Sequence, residues 1–284
     1  MIAYLVDKAT FATETSGIVF NPEAQTLMSN DAWNPEQYGR YRDERSQPFF
    51  DLMGLVRPRP CMRVVDLGCG TGDLTQLLHK QLQAGETLGI DDSEAMLAKA
   101  ASYASDALRF EKQSIDDFEA DHYYDLVFSN AALHWISNHA ELLARLTRAL
   151  TEGGQIAIQV PANHDFPTHT VAAELADESP FREALNGYVH PCSVMKPEEY
   201  AVLLSRLGYR EQHVRLQVYG HNLGSREDVV EWVKGSLLTA YQKRLPTGLY
   251  EEFMGQYRER LMNRLEDIRP YFLTYKRILL WAKL

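Results

Sequence analysis

Residues 63–72 read Arg-Val-Val-Asp-Leu-Gly-Cys-Gly-Thr-Gly, and no other stretch limits the fold as tightly. Val64-Val65 leads into an acid, Asp66, and glycines follow at alternate positions, Gly68, Gly70 and Gly72. From Asp73 the apolar residues Leu74, Leu77, Leu78 and Leu82 fall at helical spacing. The pattern predicts a buried strand over 63–67 that turns sharply into a helix. Glycine stands where the backbone bends and where a ligand comes close. A tight strand-to-helix turn uses glycine for structural reasons alone, so the glycines by themselves name no ligand. The acid narrows the choice: a turn that grips a pyrophosphate gains nothing from a carboxylate, whereas a ligand with a cationic amine and hydroxyls suits one.

Further strands are expected at 87–90, 108–112, 125–128 and 155–160. Between them lie a helix capped by Ser93 with Met96, Leu97, Ala100 and Ala101 inward, and a helix over 138–150 closed by Gly153-Gly154. Strands alternating with helices imply an α/β fold, a parallel sheet with helices on both faces. After residue 160 the rhythm breaks. Helices are expected near 170–177, at 197–207 and through 225–268, with strands at 213–219 and 276–283. The organisation read from this is an extension over 1–30, a core over 31–160, a cap insertion at 161–196, core again at 197–221, a helical cap insertion at 222–270 and a final core strand in 271–284. The two insertions would form a helical cap over the carboxyl ends of the strands, where open α/β sheets bind ligands.

The chain has 284 residues and a net charge of −10. That balance argues against nucleic acid or an anionic membrane as a partner, while a few local cations can still serve one anionic pocket. Cys61, Cys69 and Cys192 show no metal-ligand spacing, and their odd number points to a reducing compartment. No apolar run approaches the ~20 residues that span a bilayer, and the start lacks a basic leader, so the expected location is cytoplasmic. Histidines at 164, 169 and 190 come without an acid at metal-binding spacing, and no metal is expected.

The second strand ends in Gly89-Ile90-Asp91, about 19 residues beyond Gly72. An acid there can accept both ribose hydroxyls of an adenosine; it can equally be a helix N-terminal acid before Ser93. Joined to Asp66 and the three glycines, the nucleoside reading prevails. Asp66-Leu-Gly-Cys-Gly-Thr-Gly72, Gly89-Ile-Asp91 and Asp125-Leu-Val-Phe-Ser-Asn130 resemble the signature segments of class I S-adenosylmethionine-dependent methyltransferases. The resemblance implies a Rossmann-like seven-stranded, mostly parallel sheet whose last strand is antiparallel. It implies that Asp66 and the backbone of Gly68 and Cys69 meet the methionine moiety of S-adenosyl-L-methionine, that Gly70 also binds the cofactor, that Asp91 takes the ribose, and that Ser129 and Asn130 lie under the methionine tail and sulfonium. Many members carry an acid for the adenine amine after the third strand. Here Ser114 stands at that position, with Ile115 able to pack on the adenine face.

A closer resemblance runs over 33–283. Trp33-Asn-Pro-Glu-Gln-Tyr38, Asp43-Glu-Arg45, Phe49-Phe-Asp51, Ser129-Asn-Ala-Ala-Leu-His-Trp135 and Glu231-Trp-Val-Lys-Gly235 are similar to the trans-aconitate methyltransferase family. It implies a small carboxylic acid as the acceptor and a methyl ester as the product. Two positions depart: Gln47 stands where arginine is common, and His134 where glutamine is common. Read from the residues alone, Trp33 and Tyr38 form a lid or pack a helix on the sheet, and Arg45 offers a guanidinium to a carboxylate. His134 and Trp135 follow the fourth strand, Asn163 and His169 follow the fifth, and Lys234 lies in the second insertion. These residues are the expected acceptor site.

A carboxylate is ionised at neutral pH, so its methylation needs no general base. Alignment and exclusion of water would supply the catalysis. Two alternatives stay open. One is methylation of another acceptor, such as a malonyl ester on an acyl-carrier protein, an amine or a carbon; the other is a regulator that binds the cofactor without turnover.

Overall fold

The computed structural model describes residues 42–284. Strand β1 (Arg63–Leu67) pairs in parallel with β2 (Glu86–Asp91) on one side and with β4 (Tyr124–Asn130) on the other. Strand β3 (Leu108–Lys112) extends the sheet beyond β2, and β5 (Leu150–Pro161) extends it beyond β4. The complete order is β3-β2-β1-β4-β5-β7-β6. Strand β7 (Tyr271–Lys283) is antiparallel to both neighbours, β5 and β6 (Glu211–Leu223). The sheet expected from the sequence, seven strands with the last reversed, is the sheet observed. The chain winds outward through β2 and β3, then returns to β4 on the other side of β1. That reversal opens a crevice at the carboxyl ends of β1 and β4.

Helix α1 (Arg42–Met53) precedes the sheet, and α2 (Asp73–Leu82), α3 (Glu94–Ala100) and α4 (His139–Arg148) join the parallel strands. Ser93 caps α3, its hydroxyl accepting the Met96 N–H at 3.2 Å. One face of the sheet, with Val65, Leu67, Ile90, Val127 and Ile158, packs on Leu142, Leu143 and Leu146 of α4. The opposite face, with Val64, Leu126, Phe128 and Trp281, packs on Phe49 and Leu52 of α1 and Leu78 and Leu82 of α2.

Beyond β5 come α5 (Pro167–Ala176), α6 (Phe181–Ala184) and α7 (Pro197–Arg206). Beyond β6 come α8 (Asp228–Lys234), α9 (Leu237–Gln242) and α10 (Thr247–Arg264). Apolar residues from both stretches close a core of their own: Val171, Leu175 and Phe181 meet Val229, Trp232, Leu238, Phe253 and Tyr257. None of the described helices is long and apolar enough to cross a membrane.

The helical stretch expected through 225–268 is three helices, interrupted at Gly235-Ser236 and at 243–246, and other boundaries differ for physical reasons. Gly153-Gly154 does not close a helix, because α4 ends at Arg148 and β5 is already running at Leu150. The pair lies in a register shift against β4, where Gly153 has φ 67° and a Cβ on Gly154 would stand 2.8 Å from Thr151 O. Strands β6 and β7 are each 13 residues long, because they pair with one another well past the end of β5.

Candidate active site

The turn from β1 to α2 holds Gly68, Gly70 and Gly72 at φ 77°, 56° and 76°, where only glycine sits without strain. Their surroundings differ. A Cβ on Gly68 would lie 2.3 Å from Ala132 Cβ, so this glycine lets the turn after β1 touch the turn after β4. A Cβ on Gly70 would meet none of the described residues within 4 Å. The N–H groups of Gly68 and Cys69 both donate to Ile90 O at 2.9 Å. Contact between these two residues and a ligand therefore falls to their carbonyls and Cα surface rather than to the N–H groups.

Asp66 is buried and accepts a hydrogen bond from Thr75 Oγ1 at 2.6 Å. Burial pushes its carboxyl up to about 7 despite that bond, with Asp91 adding repulsion. Asp91, at the end of β2, accepts from the N–H of Gly70 at 2.9 Å and the N–H of Ser93 at 3.0 Å, one on each oxygen. These two bonds hold the carboxylate in a fixed orientation at the end of β2. The Gln113 N–H donates to Asp91 O at 3.1 Å and brings the loop after β3 alongside. In that loop Ser114 Oγ accepts the Asp116 N–H, and Ile115 is buried with its side chain toward Gly68.

At the end of β4, Ser129 is fully buried and its hydroxyl donates to Leu67 O at 2.7 Å, clasping β4 to β1. Its side chain is thus spent on the sheet. Asn130 Oδ1 is buried with no hydrogen-bond partner among the described residues. Ala131 follows at φ 57°, a conformation that costs a non-glycine residue about 1–3 kcal/mol and concentrates at functional sites. The bend carries His134 and Trp135 over the turn. Their rings stand 4.7 Å apart, and Trp135 lies 5.5 Å from the His190 ring. Burial pushes His134 down to about 3, helped by the fields of Arg277, His190, His139 and His169; its Nδ1 is buried and unbonded among the described residues. Burial likewise pushes His169 down to about 4. Both imidazoles are neutral at pH 7. Asn163 accepts the Lys276 N–H through Oδ1 at 2.8 Å, while its Nδ2 is buried and unbonded among the described residues.

The structure thus joins Asp66, the glycines, Asp91, Ser114, Ile115 and Asn130 around one crevice, and sets His134, Trp135, Asn163 and His169 beside it. Lys234 instead pairs with Glu231 on its own helix at 3.5 Å. Its neighbour Trp232 reaches the sheet, 4.6 Å from the His221 ring and 5.8 Å from the Tyr275 ring. Trp33, Tyr38 and the Arg45 side chain lie outside the described residues. Sequence reasoning missed Gln159 and Arg277, both buried near the carboxyl end of the sheet. Gln159 carried a signal, a polar residue between Ile158 and Val160, whereas Arg277, beside Lys276, carried none.

These features fit S-adenosylmethionine. Among the described residues, Gly70 has open space beside its backbone and Asn130 Oδ1 has no donor, which suits an amine, and Asp91 stands as a fixed carboxylate at the end of β2. Residues 59–203 match the family described as Methyltransferase domain. The chain is 40% identical over 256 residues to trans-aconitate 2-methyltransferase of Deinococcus radiodurans, covering 88% of this chain and 97% of the relative. It is 35% identical to the enzyme of that name from Variovorax paradoxus, covering 89% and 96%. Among solved structures, the YcgJ protein of Bacillus subtilis superposes with a TM-score of 0.57 at 16% identity, covering 84% of this chain and 97% of that one. A geranyl diphosphate methyltransferase in complex with its diphosphate and sinefungin gives 0.50 at 16% identity, covering 84% and 78%.

Proposed function

We propose that this chain, which belongs to the trans-aconitate 2-methyltransferase family of S-adenosyl-L-methionine-dependent methyltransferases, forms a methyl ester on one carboxylate of a small polycarboxylic acid of the trans-aconitate type. The observation that carries this reading is the group of buried, uncharged polar side chains at the carboxyl ends of β4 and β5. His134 Nδ1 and Asn163 Nδ2 have no hydrogen-bond partner among the described residues. A buried unmet polar group costs about 1–3 kcal/mol, and an acceptor oxygen would satisfy either one.

S-adenosylmethionine, when bound, supplies a methyl group on a cationic sulfur. Asp66, Gly70 and Asn130 would hold its methionine part, Asp91 its ribose, and Ser114 and Ile115 its adenine. The chain's remaining task is to bring an already ionised carboxylate to that methyl without quenching it. Neutral His134 and His169 suit this, since a hydrogen bond from a neutral imidazole orients the oxygen and withdraws less charge than a cation would. No residue need take a proton, because the attacking oxygen carries none. Holding the two reactants in line while excluding water lowers the barrier by up to ~7–11 kcal/mol, and in this reading the helices of 161–196 and 222–270 would exclude it.

The test is incubation with S-adenosylmethionine and a panel of di- and tricarboxylic acids, with mass spectrometric detection of products. A single methyl ester on at least one acid is expected. Tight cofactor binding with no ester on any acid in the panel would overturn the proposal.

A further inference from the structure

We propose that Gln159 and Arg277 form the subsite for a second, non-reacting carboxylate of the acceptor; the inference rests on the reading of that acceptor as a polycarboxylic acid. Gln159 pairs with Asn130 across β4 and β5 and with Leu279 across β5 and β7. Arg277 pairs with Pro161, two residues further along the same face. Asn130, Gln159 and Arg277 therefore make one polar row across three strands, at the carboxyl end of the sheet and beside the crevice.

The row is built from groups that are costly to bury. Gln159 is 0% exposed and Arg277 is 5% exposed. A guanidinium keeps its charge in any protein environment and has donors only. Arg277 Nη1 donates to Gln159 Oε1 at 3.2 Å, and because Arg277 cannot accept, the amide must present its oxygen there and turn its N–H₂ away. That nitrogen, Nε2, is buried with no hydrogen-bond partner among the described residues. Tyr275 and Tyr219 flank the guanidinium, their ring centroids 5.0 and 6.0 Å away. Tyr219 in turn donates to Asp51 at 2.7 Å. The oxygens of Asp51 are also taken by Gln217 at 2.8 Å and Gln47 at 2.9 Å. Gln47 is thus part of the bracing behind Tyr219.

The field of Arg277 is one cause of the low proton affinity of His134, so the guanidinium acts on the group proposed to face the reacting oxygen. The two environments divide the work. A carboxylate bound by guanidinium and amide N–H groups gains charge-assisted hydrogen bonds and loses nucleophilicity. Such a pocket is wrong for the oxygen that attacks and right for one that only anchors. Arg277 and Gln159 are positioning and specificity residues in this scheme.

The experiment compares wild type, Arg277→Lys, Arg277→Met and Gln159→Leu. Cofactor Kd is measured calorimetrically, and KM and kcat are measured with trans-aconitate and with an unsaturated acid carrying one carboxylate. Arg277→Met is expected to raise KM for trans-aconitate on the order of a hundredfold and Gln159→Leu roughly tenfold, with cofactor Kd within about threefold of wild type. Arg277→Lys is expected to fall between wild type and Arg277→Met. The KM penalty should shrink at least tenfold for the single-carboxylate acid. Equal penalties on both acids, or an unchanged KM for trans-aconitate in a folded variant, would overturn the assignment while leaving ester formation intact. If Arg277→Met does not fold, Gln159→Leu and Arg277→Lys decide by the same comparison. If wild type esterifies no acid, direct calorimetric binding of trans-aconitate to wild type and variants still tests the subsite: binding lost in the variants supports it, and no binding to wild type overturns it.

Discussion

Asp66 and Asp91 lie at the ends of neighbouring strands, yet their surroundings give them different work. Asp91 is held in place by two backbone N–H groups. Asp91→Ala removes the hydroxyl acceptor and frees both N–H groups, so cofactor Kd is expected to rise roughly tenfold to a hundredfold with the far-UV spectrum intact. Calorimetry against S-adenosylhomocysteine checks this. Asp66 is protonated more readily, because burial holds its carboxyl up at about 7. A folded-state pKa above the unfolded value means that the native state binds the extra proton between about pH 4 and 7. Its contribution to stability is therefore fully present below that window and is lost as pH rises through it. A ligand that brings a cationic amine reverses the preference and favours the ionised form. Cofactor affinity is accordingly expected to increase from pH 6 to pH 8. Asp66→Asn should flatten that increase, weaken binding at pH 8, and lessen the loss of ligand-free thermal stability over the same range. A wild-type affinity independent of pH would show that Asp66 does not sense the amine.

At the level of elements, the glycine turn separates structural need from ligand need. Gly68→Ala drives a Cβ to within 2.3 Å of Ala132 Cβ, whereas Gly70→Ala meets no atom of the described residues within 4 Å. Both carry a left-handed φ penalty of about 1–2 kcal/mol. Gly68→Ala is expected to lower Tm well beyond that penalty, by distorting the contact between two turns. Gly70→Ala should lose little more than the penalty in stability yet bind cofactor at least tenfold more weakly. Thermal melts with and without S-adenosylhomocysteine distinguish the two. The positions of the parallel strands along the chain were legible in the sequence: Arg63–Leu67 and Leu108–Lys112 fall where the pattern puts them, while their order within the sheet follows from pairing that no local pattern carries. Asp66, Asp91 and Asn130 were legible because the same pattern marks strand ends. Gly153-Gly154 misled because a glycine pair serves a helix stop and a strand bulge equally well, and only the β4–β5 register tells which. Arg277 and Gln159 were hidden for a related reason. An arginine in a strand is read as solvent-facing, and its burial follows from which strands flank it, which the local pattern does not carry. Lys234, expected at the acceptor site, is paired with Glu231 on its own helix, and the side chain of α8 that reaches β6 and β7 is the Trp232 indole.

The whole molecule joins two apolar cores of different purpose. The sheet and its helices carry the residues proposed for the cofactor. The residues proposed for the acceptor straddle the sheet and the second core: His169 lies on α5, and Arg277 is flanked by Tyr275, which Trp232 of α8 touches in turn. Phe253 sits at the centre of that second core: it is 0% exposed and its ring packs at 5.2 Å on Phe181 and 5.1 Å on Tyr241. Tyr257, one turn on, donates to Thr168 O at 3.1 Å, beside His169. Removing the Phe253 ring leaves a cavity and costs about 3–5 kcal/mol, borne by the helices of 161–196 and 222–270. The sheet core shares none of these ring contacts, so its ligand contacts should survive. Phe253→Ala is expected to raise the KM for the acid at least tenfold and to lower kcat, while cofactor Kd stays within about threefold. Faster amide exchange should appear in α5, α8 and α10 and not in β1, β2 or β4. Equal loss of cofactor and acceptor binding, with exchange accelerated throughout, would instead show that the two cores unfold as one unit and that acceptor recognition has no separate mechanical support.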